Sequence, residues 1–264
     1  MLRFRKLFSL VLVLLVALGI QAQDFPYELD LQKELGLFSV SSGLSVGSHI
    51  MENQMDGLDP YQLSRKRRHH VWFLDRGATR NESDQFRVLS DDLVRGAMLL
   101  PATLATSKSA RSRPLILATM LAETMLLNDG LTKFTKVLIR RSRPLTFNEA
   151  FGEESQRSND ARQSFVSGHT SNAAALSFFT AKVFHDLYPE SPWRPVVWAG
   201  AAALPLLTGY SRYRAGKHFP TDIVAGYALG AVLGVMIPEC HKRDDQKGLQ
   251  LGVTGEGIGL TLRW

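Results

Sequence analysis

After Asp91 the chain is a series of long apolar stretches, rich in Ala, Leu, Gly and Val, separated by short polar breaks that carry proline. The pattern predicts helices over Asp92–Ser107, Pro114–Ile139, Thr170–Leu187, Pro195–Tyr210 and Thr221–Ile237. The break "SKSARSRP" ends in a proline suited to the first turn of a helix, and "YPESPWRP" is a second turn-rich break. Helices apolar on most sides suit either a buried helical core or membrane spans. The last two predicted helices are short for a span, which needs ~20 residues. Segment 114–139 carries Glu123, Asn128, Asp129, Lys133 and Lys136, which is polar for a lipid-facing helix. A mean hydropathy of −0.06 is low for a polytopic protein. Integral and membrane-associated forms both fit. Residues 148–164, "NEAFGEESQRSNDARQS", lack apolar periodicity and predict a mobile surface loop.

The ends of the chain differ from this middle. The opening "MLRFRKLFSLVLVLLVALGIQAQ" has Arg3, Arg5 and Lys6 before an apolar run, then "IQA". It reads as a secretory signal peptide cleaved after Ala22, with an uncleaved N-terminal anchor as the alternative. The formal charge of +6 falls to +3 without that segment, too mild to point to nucleic acid. Cys240 is the only cysteine, so an intramolecular disulfide and a cysteine-rich metal site are excluded. Residues 24–63 look irregular, with a short helix near Leu31 to Phe38, and "RKRRHH" at 65–70 reads as a solvated or membrane-surface patch. The tail "LQLGVTGEGIGLTLRW" alternates apolar and small or polar residues about "GEG", a β-hairpin pattern. A length of 264 residues suits one large domain.

Three short motifs carry chemistry. In "KVLIRRSRP", Lys136 and Arg143 are seven apart, so on a helix they share a face with Arg140, and Pro144 marks the stop. Cations at a helix C-terminus are also favoured by its dipole alone. In "FVSGHTSNAAAL", Ser167 suits an N-cap and Gly168 allows close backbone approach. The N–H groups of the helix start, with a hydroxyl, form an anion cradle beside His169. In "SRYRAGKHFPTD", Pro220 presets the first turn of the last helix and Asp222 follows His218 by four residues. A carboxylate bonded to one ring nitrogen of His218 would fix its tautomer and free the other to attack or ligate. Arg214 and Lys217 read as surface charge.

In order, the motifs read K-x6-RP, SGH and SR-x5-H-x3-D. This resembles the signature of the type 2 phosphatidic acid phosphatase superfamily, which also holds bacterial non-specific acid phosphatases and vanadium haloperoxidases. The resemblance covers roughly residues 91–238, with one departure, Val166 where the family usually has proline. It implies an all-α helical bundle of the acid phosphatase/vanadium haloperoxidase type. Residues 23–90 are then an N-terminal extension, and 239–264 a tail with a short β-hairpin. The resemblance also implies roles. Lys136, Arg143 and Arg212 hold phosphoryl oxygens, and the Ser167 hydroxyl and Gly168 N–H add donors. His218 is the nucleophile that forms a phosphohistidine, Asp222 orients it, and His169 protonates the leaving group and then activates water. No metal or cofactor is implied, and no carboxylate or histidine cluster for a two-metal site is evident in the sequence.

Apolar helices around a phosphate site favour a lipid phosphate or isoprenoid diphosphate substrate at a membrane. A soluble ester, haloperoxidase chemistry or a non-catalytic headgroup binder are the alternatives. The motifs fall at one end of the helices, with Lys108, Arg111 and Arg113 at the other. The positive-inside rule then faces the site outward, into the periplasm.

Overall fold

Among the described residues, helices account for the long apolar stretches: Leu31–Asn53 (α1), Pro60–Ser64 (α2), Asp84–Met98 (α3), Lys108–Ser112 (α4), Pro114–Ile139 (α5), Glu153–Arg157 (α6), Gly168–Leu187 (α7), Arg194–Arg214 (α8) and Pro220–Cys240 (α9). The structure, a computed structural model, describes residues 25–243, 249–254 and 257–262, so the expected signal segment 1–22 lies outside the described residues. The fold is all-α in its body. At the C-terminus, Leu249–Thr254 (β1) and Gly257–Leu262 (β2) pair antiparallel with Leu251 opposite Leu260, while the turn of the expected hairpin, 255–256, lies outside the described residues.

Helix α7 is the axis of the bundle. It packs on α9, α8, α5 and α3, and its small residues Ala173, Ala174, Ala175 and Ala181 are all buried. Phe179, Val183 and Leu187 join Met120 of α5 and Ile237 of α9 in the main core, and Leu176 joins Val94 and Ala97 of α3 in a second cluster. The tightest contact is with α9. A Cβ placed on Gly226, Gly230 or Gly234 would stand 2.5, 2.1 and 2.6 Å from the carbonyl oxygens of Ser167, Ser171 and Ala175. Glycine every fourth residue therefore lets two backbones touch, and only glycine fits there.

Helix α1 runs well past the short helix expected near Leu31–Phe38. Asp30 caps it by accepting from the Lys33 N–H at 2.9 Å. The Ser- and Gly-rich continuation has weak intrinsic propensity, but it has a partner. Glu34, Ser41 and Ser48, seven apart, are its buried residues. A Cβ at Gly130 of α5 would stand 3.0 Å from Leu44 Cβ, so small residues on both helices let them close together. Tertiary packing overrides local preference here. The five polar residues noted in α5 sort the same way. Glu123 and Asn128 are buried, Asp129 and Lys133 pair with each other at 2.9 Å, and Lys136 reaches the site described below.

The polar stretch 148–164 is more structured than the expected surface loop. It holds α6 and a 3₁₀ turn at Asn159–Arg162, and the buried Gln156 amide donates to the carbonyls of Leu145 (3.1 Å) and Asn148 (2.7 Å).

Candidate active site

The C-terminal ends of α5 and α8 and the N-terminal ends of α7 and α9 meet at one end of the bundle, with one motif after α5, one at the start of α7 and one across the α8–α9 turn. The first arrives differently from the expected helical face. Helix α5 stops at Ile139, and Arg140 turns the chain with a left-handed φ of 51°. Lys136 is in the last helical turn, but Arg143 is carried in by the extended segment after it. Arg140 stays on the surface. The Arg143 guanidinium is buried and held by Asp160, donating through Nε to its carbonyl at 2.8 Å and through Nη2 to its carboxylate at 2.5 Å. Its Nη1 then lies 3.4 Å from His218 Nε2.

At the start of α7, Ser167 occupies the N-cap position, yet its hydroxyl bonds Thr170 Oγ1 at 2.8 Å instead of a helix N–H. Its own N–H donates to the Asp222 carbonyl at 3.0 Å, which ties the starts of α7 and α9 together. A Cβ on Gly168 would lie 3.8 Å from Lys136 Nζ, so the missing side chain keeps open the space between that ammonium and the helix N-terminus. His169 is partly exposed, and its Nε2 bonds Asp91 Oδ1 of α3 at 2.8 Å. A carboxylate accepts, so Nε2 carries the hydrogen and Nδ1 is the nitrogen that can gain and lose a proton. Burial, with Arg212 next, pushes this imidazole down to about 4, against the pull of Asp91.

The third motif spans the α8–α9 turn. Helix α8 continues past the expected end at Tyr210 and so carries Arg212 in its last turn. Arg212 is buried, donates to Ser90 Oγ at 3.3 Å, and keeps an Nε with no hydrogen-bond partner. The chain then reverses at Gly216. Its φ of +66° suits glycine, and a Cβ there would stand 2.3 Å from the Asn81 carbonyl oxygen, which excludes any side chain. Lys217 is half-buried, and burial and Arg143 together lower its ammonium below the usual range. It belongs to the rim of the site, whereas Arg214 stays at the surface over Phe86.

His218 is buried, and its Nδ1 lies 2.8 Å from the Ser164 carbonyl oxygen. That oxygen can only accept, so Nδ1 carries the hydrogen and the Nε2 lone pair faces the cations. Burial, reinforced by Arg143, Arg212 and Lys136, holds the imidazole well below its ordinary range, so it is neutral. The expected direct bond from Asp222 is corrected by this geometry. Asp222 Oδ2 is 3.7 Å from Nδ1, beyond hydrogen-bond reach. The buried carboxylate instead accepts from Ser164 Oγ at 2.5 Å, from the Phe219 N–H at 2.9 Å and from Arg141. It acts on His218 through Ser164.

Arg141 is in turn clamped by Asp75, which accepts from its Nη2 at 2.6 Å and from the Thr221 hydroxyl at 2.7 Å, and its guanidinium lies 4.3 Å above the Phe219 ring. Asp75, Asp91, Arg141, Asp160 and Ser164 were invisible as site residues in the sequence. Arg141 stands inside the first motif but at none of its signature positions, and the other four are ordinary polar residues outside the motifs, brought in only by packing.

A buried neutral imidazole, three cations around it and a helix N-terminus beside it define a site for a tetrahedral oxyanion. Residues 115–245 match the family model of the PAP2 superfamily, and the chain belongs to that superfamily. The chain is 39% identical over 70 residues to lipid A 4'-phosphatase of Porphyromonas gingivalis, which is 26% of each chain. It is 35% identical over 78 residues to phosphatidylglycerophosphatase B of Bacillus subtilis, 28% of this chain and 37% of that one. The chain thus spans about a quarter to over a third of the length of these relatives. A solved structure, the transmembrane PAP2 type phosphatidylglycerolphosphate phosphatase of Bacillus subtilis, aligns with 87% of this chain and 92% of its own at 22% identity and a TM-score of 0.37.

Proposed function

We propose that the protein is a phosphatase that hydrolyses a phosphate ester or diphosphate on a lipid or isoprenoid, through a phosphohistidine on His218. The observation that carries this reading is the state of His218: the ring is buried, its Nδ1–H is committed to the Ser164 carbonyl, and its Nε2 lone pair lies 3.4 Å from Arg143 Nη1. A nucleophile aimed at a cation-lined pocket is what phosphoryl transfer requires. Lys136, Arg143 and Arg212 draw in the phosphoryl oxygens, and the Gly168 N–H and Ser167 add donors. The Nε2 lone pair forms the P–N bond as the P–O bond to the lipid breaks. The bound phosphate dianion offsets Arg212 and Lys136, so His169 takes a proton at Nδ1 as substrate binds and delivers it to the leaving oxygen. It then takes a proton from water, whose oxygen attacks phosphorus and releases His218 with phosphate. Asp91 holds His169, and Asp222 holds Ser164 and hence His218. Each step balances with these side chains and water alone.

A lipid substrate is supported by the apolar outer surface of the helices that carry the site. Leu115 and Leu138 of α5, Leu206 and Leu207 of α8 and Val224 and Val232 of α9 are exposed. The segments Pro114–Phe147 and Pro220–Cys240 are long and apolar enough to cross a bilayer. The named relatives act on lipid A and phosphatidylglycerophosphate, and we carry that substrate class, though neither particular lipid, to this chain. We place the protein in the cell envelope with its site facing the periplasm. Tyr27 bridges Lys242 at the end of the bundle opposite the site. A chain exported from residue 23 puts the Tyr27–Lys242 end outside, and the site shares that compartment only if the whole bundle is exported, with its apolar faces turned to the membrane.

The test is phosphate release from phosphatidic acid, phosphatidylglycerophosphate, lipid A, undecaprenyl diphosphate and p-nitrophenyl phosphate. We expect turnover on at least one lipid to exceed that on the soluble ester. His218→Ala should abolish it while the protein stays folded, and vanadate, which mimics the five-coordinate phosphoryl group, should compete. Near-normal turnover in His218→Ala sinks the assignment.

A further inference from the structure

At the opposite end of the bundle, Glu34 of α1, Glu123 of α5 and His241, the residue after α9, converge in a second buried cluster. Thirteen residues of α5 separate Glu123 from Lys136, about 20 Å along the helix, so this cluster is remote from the phosphate site. His241 Nδ1 lies 2.7 Å from the Ile237 carbonyl, so Nδ1 carries the hydrogen. Its Nε2 then faces carboxylate oxygens only: both of Glu34 at 3.1 Å and Glu123 Oε2 at 3.2 Å. A neutral imidazole would set a lone pair against three acceptors. Glu123 adds an independent sign. It is 0% exposed, and neither of its oxygens has a hydrogen-bond partner. A buried carboxylate that has no hydrogen-bond donor and only a histidine nitrogen shared with Glu34 at 3.2 Å is among the costlier arrangements a protein can hold.

We propose that Glu34, Glu123 and His241 form a binding site for a divalent metal ion of the zinc class, which clips α1 to the ends of α5 and α9. A single cation among the three residues supplies what each lacks. Histidine bound through Nε2, with Nδ1–H held by a backbone carbonyl, is the usual way a protein orients a metal-ligating imidazole. Zinc–nitrogen and zinc–oxygen bonds of about 2.0–2.2 Å in a tetrahedron place ligand atoms roughly 3.3–3.5 Å apart, a few tenths of an ångström from the separations here. One nitrogen and carboxylates favour zinc over calcium or magnesium, which prefer all-oxygen shells. Glu34 is 12% exposed at its side chain, which gives the ion an entry path and leaves room for water as a fourth ligand. The ion has a structural role: α1 belongs to the extension outside the family match, and the ion would add to the Lys33 bond to the Cys240 carbonyl (2.8 Å) and the packing of Leu37 and small residues that hold it there.

The experiment uses the full chain in detergent, stripped with chelator, dialysed and then given zinc chloride. We expect about one zinc per chain by mass spectrometry and a rise in the melting midpoint of about 5 °C or more at saturating zinc. Glu34→Gln, at the margin of the cluster, should remain folded, lose the stoichiometric zinc and lose the zinc-dependent rise. Glu123→Gln should do the same, and its unliganded form should melt no lower than the stripped parent, because a buried negative charge is removed. Phosphate release by Glu34→Gln below its melting range should match the parent, which keeps this test separate from the phosphatase reading. If the parent binds no stoichiometric zinc and its midpoint does not move, the three groups share protons instead and the proposal fails. Equal zinc retention by both variants would also overturn it, by assigning the ion to surface histidines.

Discussion

Replacing Gly230 by alanine tests whether the α7–α9 contact sets the geometry of the site. The added Cβ would stand 2.1 Å from the Ser171 carbonyl oxygen and 2.9 Å from both Ala174 Cβ and the Ala175 nitrogen. Ordinary contact begins near 3.4 Å, so α9 must retreat from α7 by about 1.3 Å. Two of the three opposing atoms are backbone inside a buried helix and cannot swing aside. Overpacking of this kind costs about 2–3 kcal/mol, which lowers the melting midpoint by about 4–10 °C for a chain of this size. The displacement also reaches the chemistry. The Ser167 N–H bonds the Asp222 carbonyl at 3.0 Å, one helical turn from Gly226. A shift of about 1 Å there separates Ser167, Gly168 and His169 on α7 from His218 and Asp222 at the start of α9, and misplacement by that much costs roughly 10²-fold in rate. We expect Gly230→Ala to lower kcat by about 10- to 100-fold below its melting range. Gly200→Ala is the control. Nothing lies within 4 Å of its Cβ position on α8, so it should be neutral or stabilise by up to ~1 kcal/mol. Thermal melting and phosphate release under identical detergent conditions read both effects. If Gly230→Ala matches the parent in midpoint and kcat, the contact does not hold the site.

Asp91→Asn keeps an acceptor for His169 Nε2–H but removes the charge that favours the imidazolium. The alkaline limb of the kcat–pH profile should move to lower pH and kcat should fall by about 10- to 100-fold; an unmoved limb would separate Asp91 from the acid. Stability should also depend on pH. His218 has a folded pKa below its unfolded value, so its contribution is present above about pH 6.5 and is lost as pH falls. Urea midpoints should drop between pH 6.5 and 5 with an unchanged m-value, and the drop should be shallower in His218→Asn. Cys240 is exposed at the end of the bundle opposite the site and is the sole cysteine. Export of the whole bundle predicts that a membrane-impermeant maleimide labels it in intact spheroplasts, and protection until lysis would mean that the bundle crosses the membrane.

The sequence determined what depends on near neighbours. Apolar stretches between proline-bearing breaks specified most of the helices, because burial of a helical face is written into residues three and four apart. The spacing within each motif likewise placed Lys136, Ser167, Gly168, His169, Arg212, His218 and Asp222 at helix ends, where backbone geometry is local. Tertiary structure decided which charges meet. Asp160 reaches back 17 residues to Arg143 and Asp91 reaches forward 78 to His169. Asp75 and Asp222 close on Arg141 from opposite sides of the chain order. Nothing in the local pattern of an aspartate on a polar surface distinguishes it from one that will be buried against an arginine. Even the partner of His218 was decided this way. Asp222 lies four residues away and looked sufficient, but the fold puts the Ser164 carbonyl 2.8 Å from Nδ1 and leaves Asp222 to hold Ser164. The same holds for Glu34, Glu123 and His241, which share no local motif and whose ligand atoms meet within 4.8 Å only because α1, α5 and the end of α9 lie side by side, set there by hydrophobic packing that is blind to sequence distance.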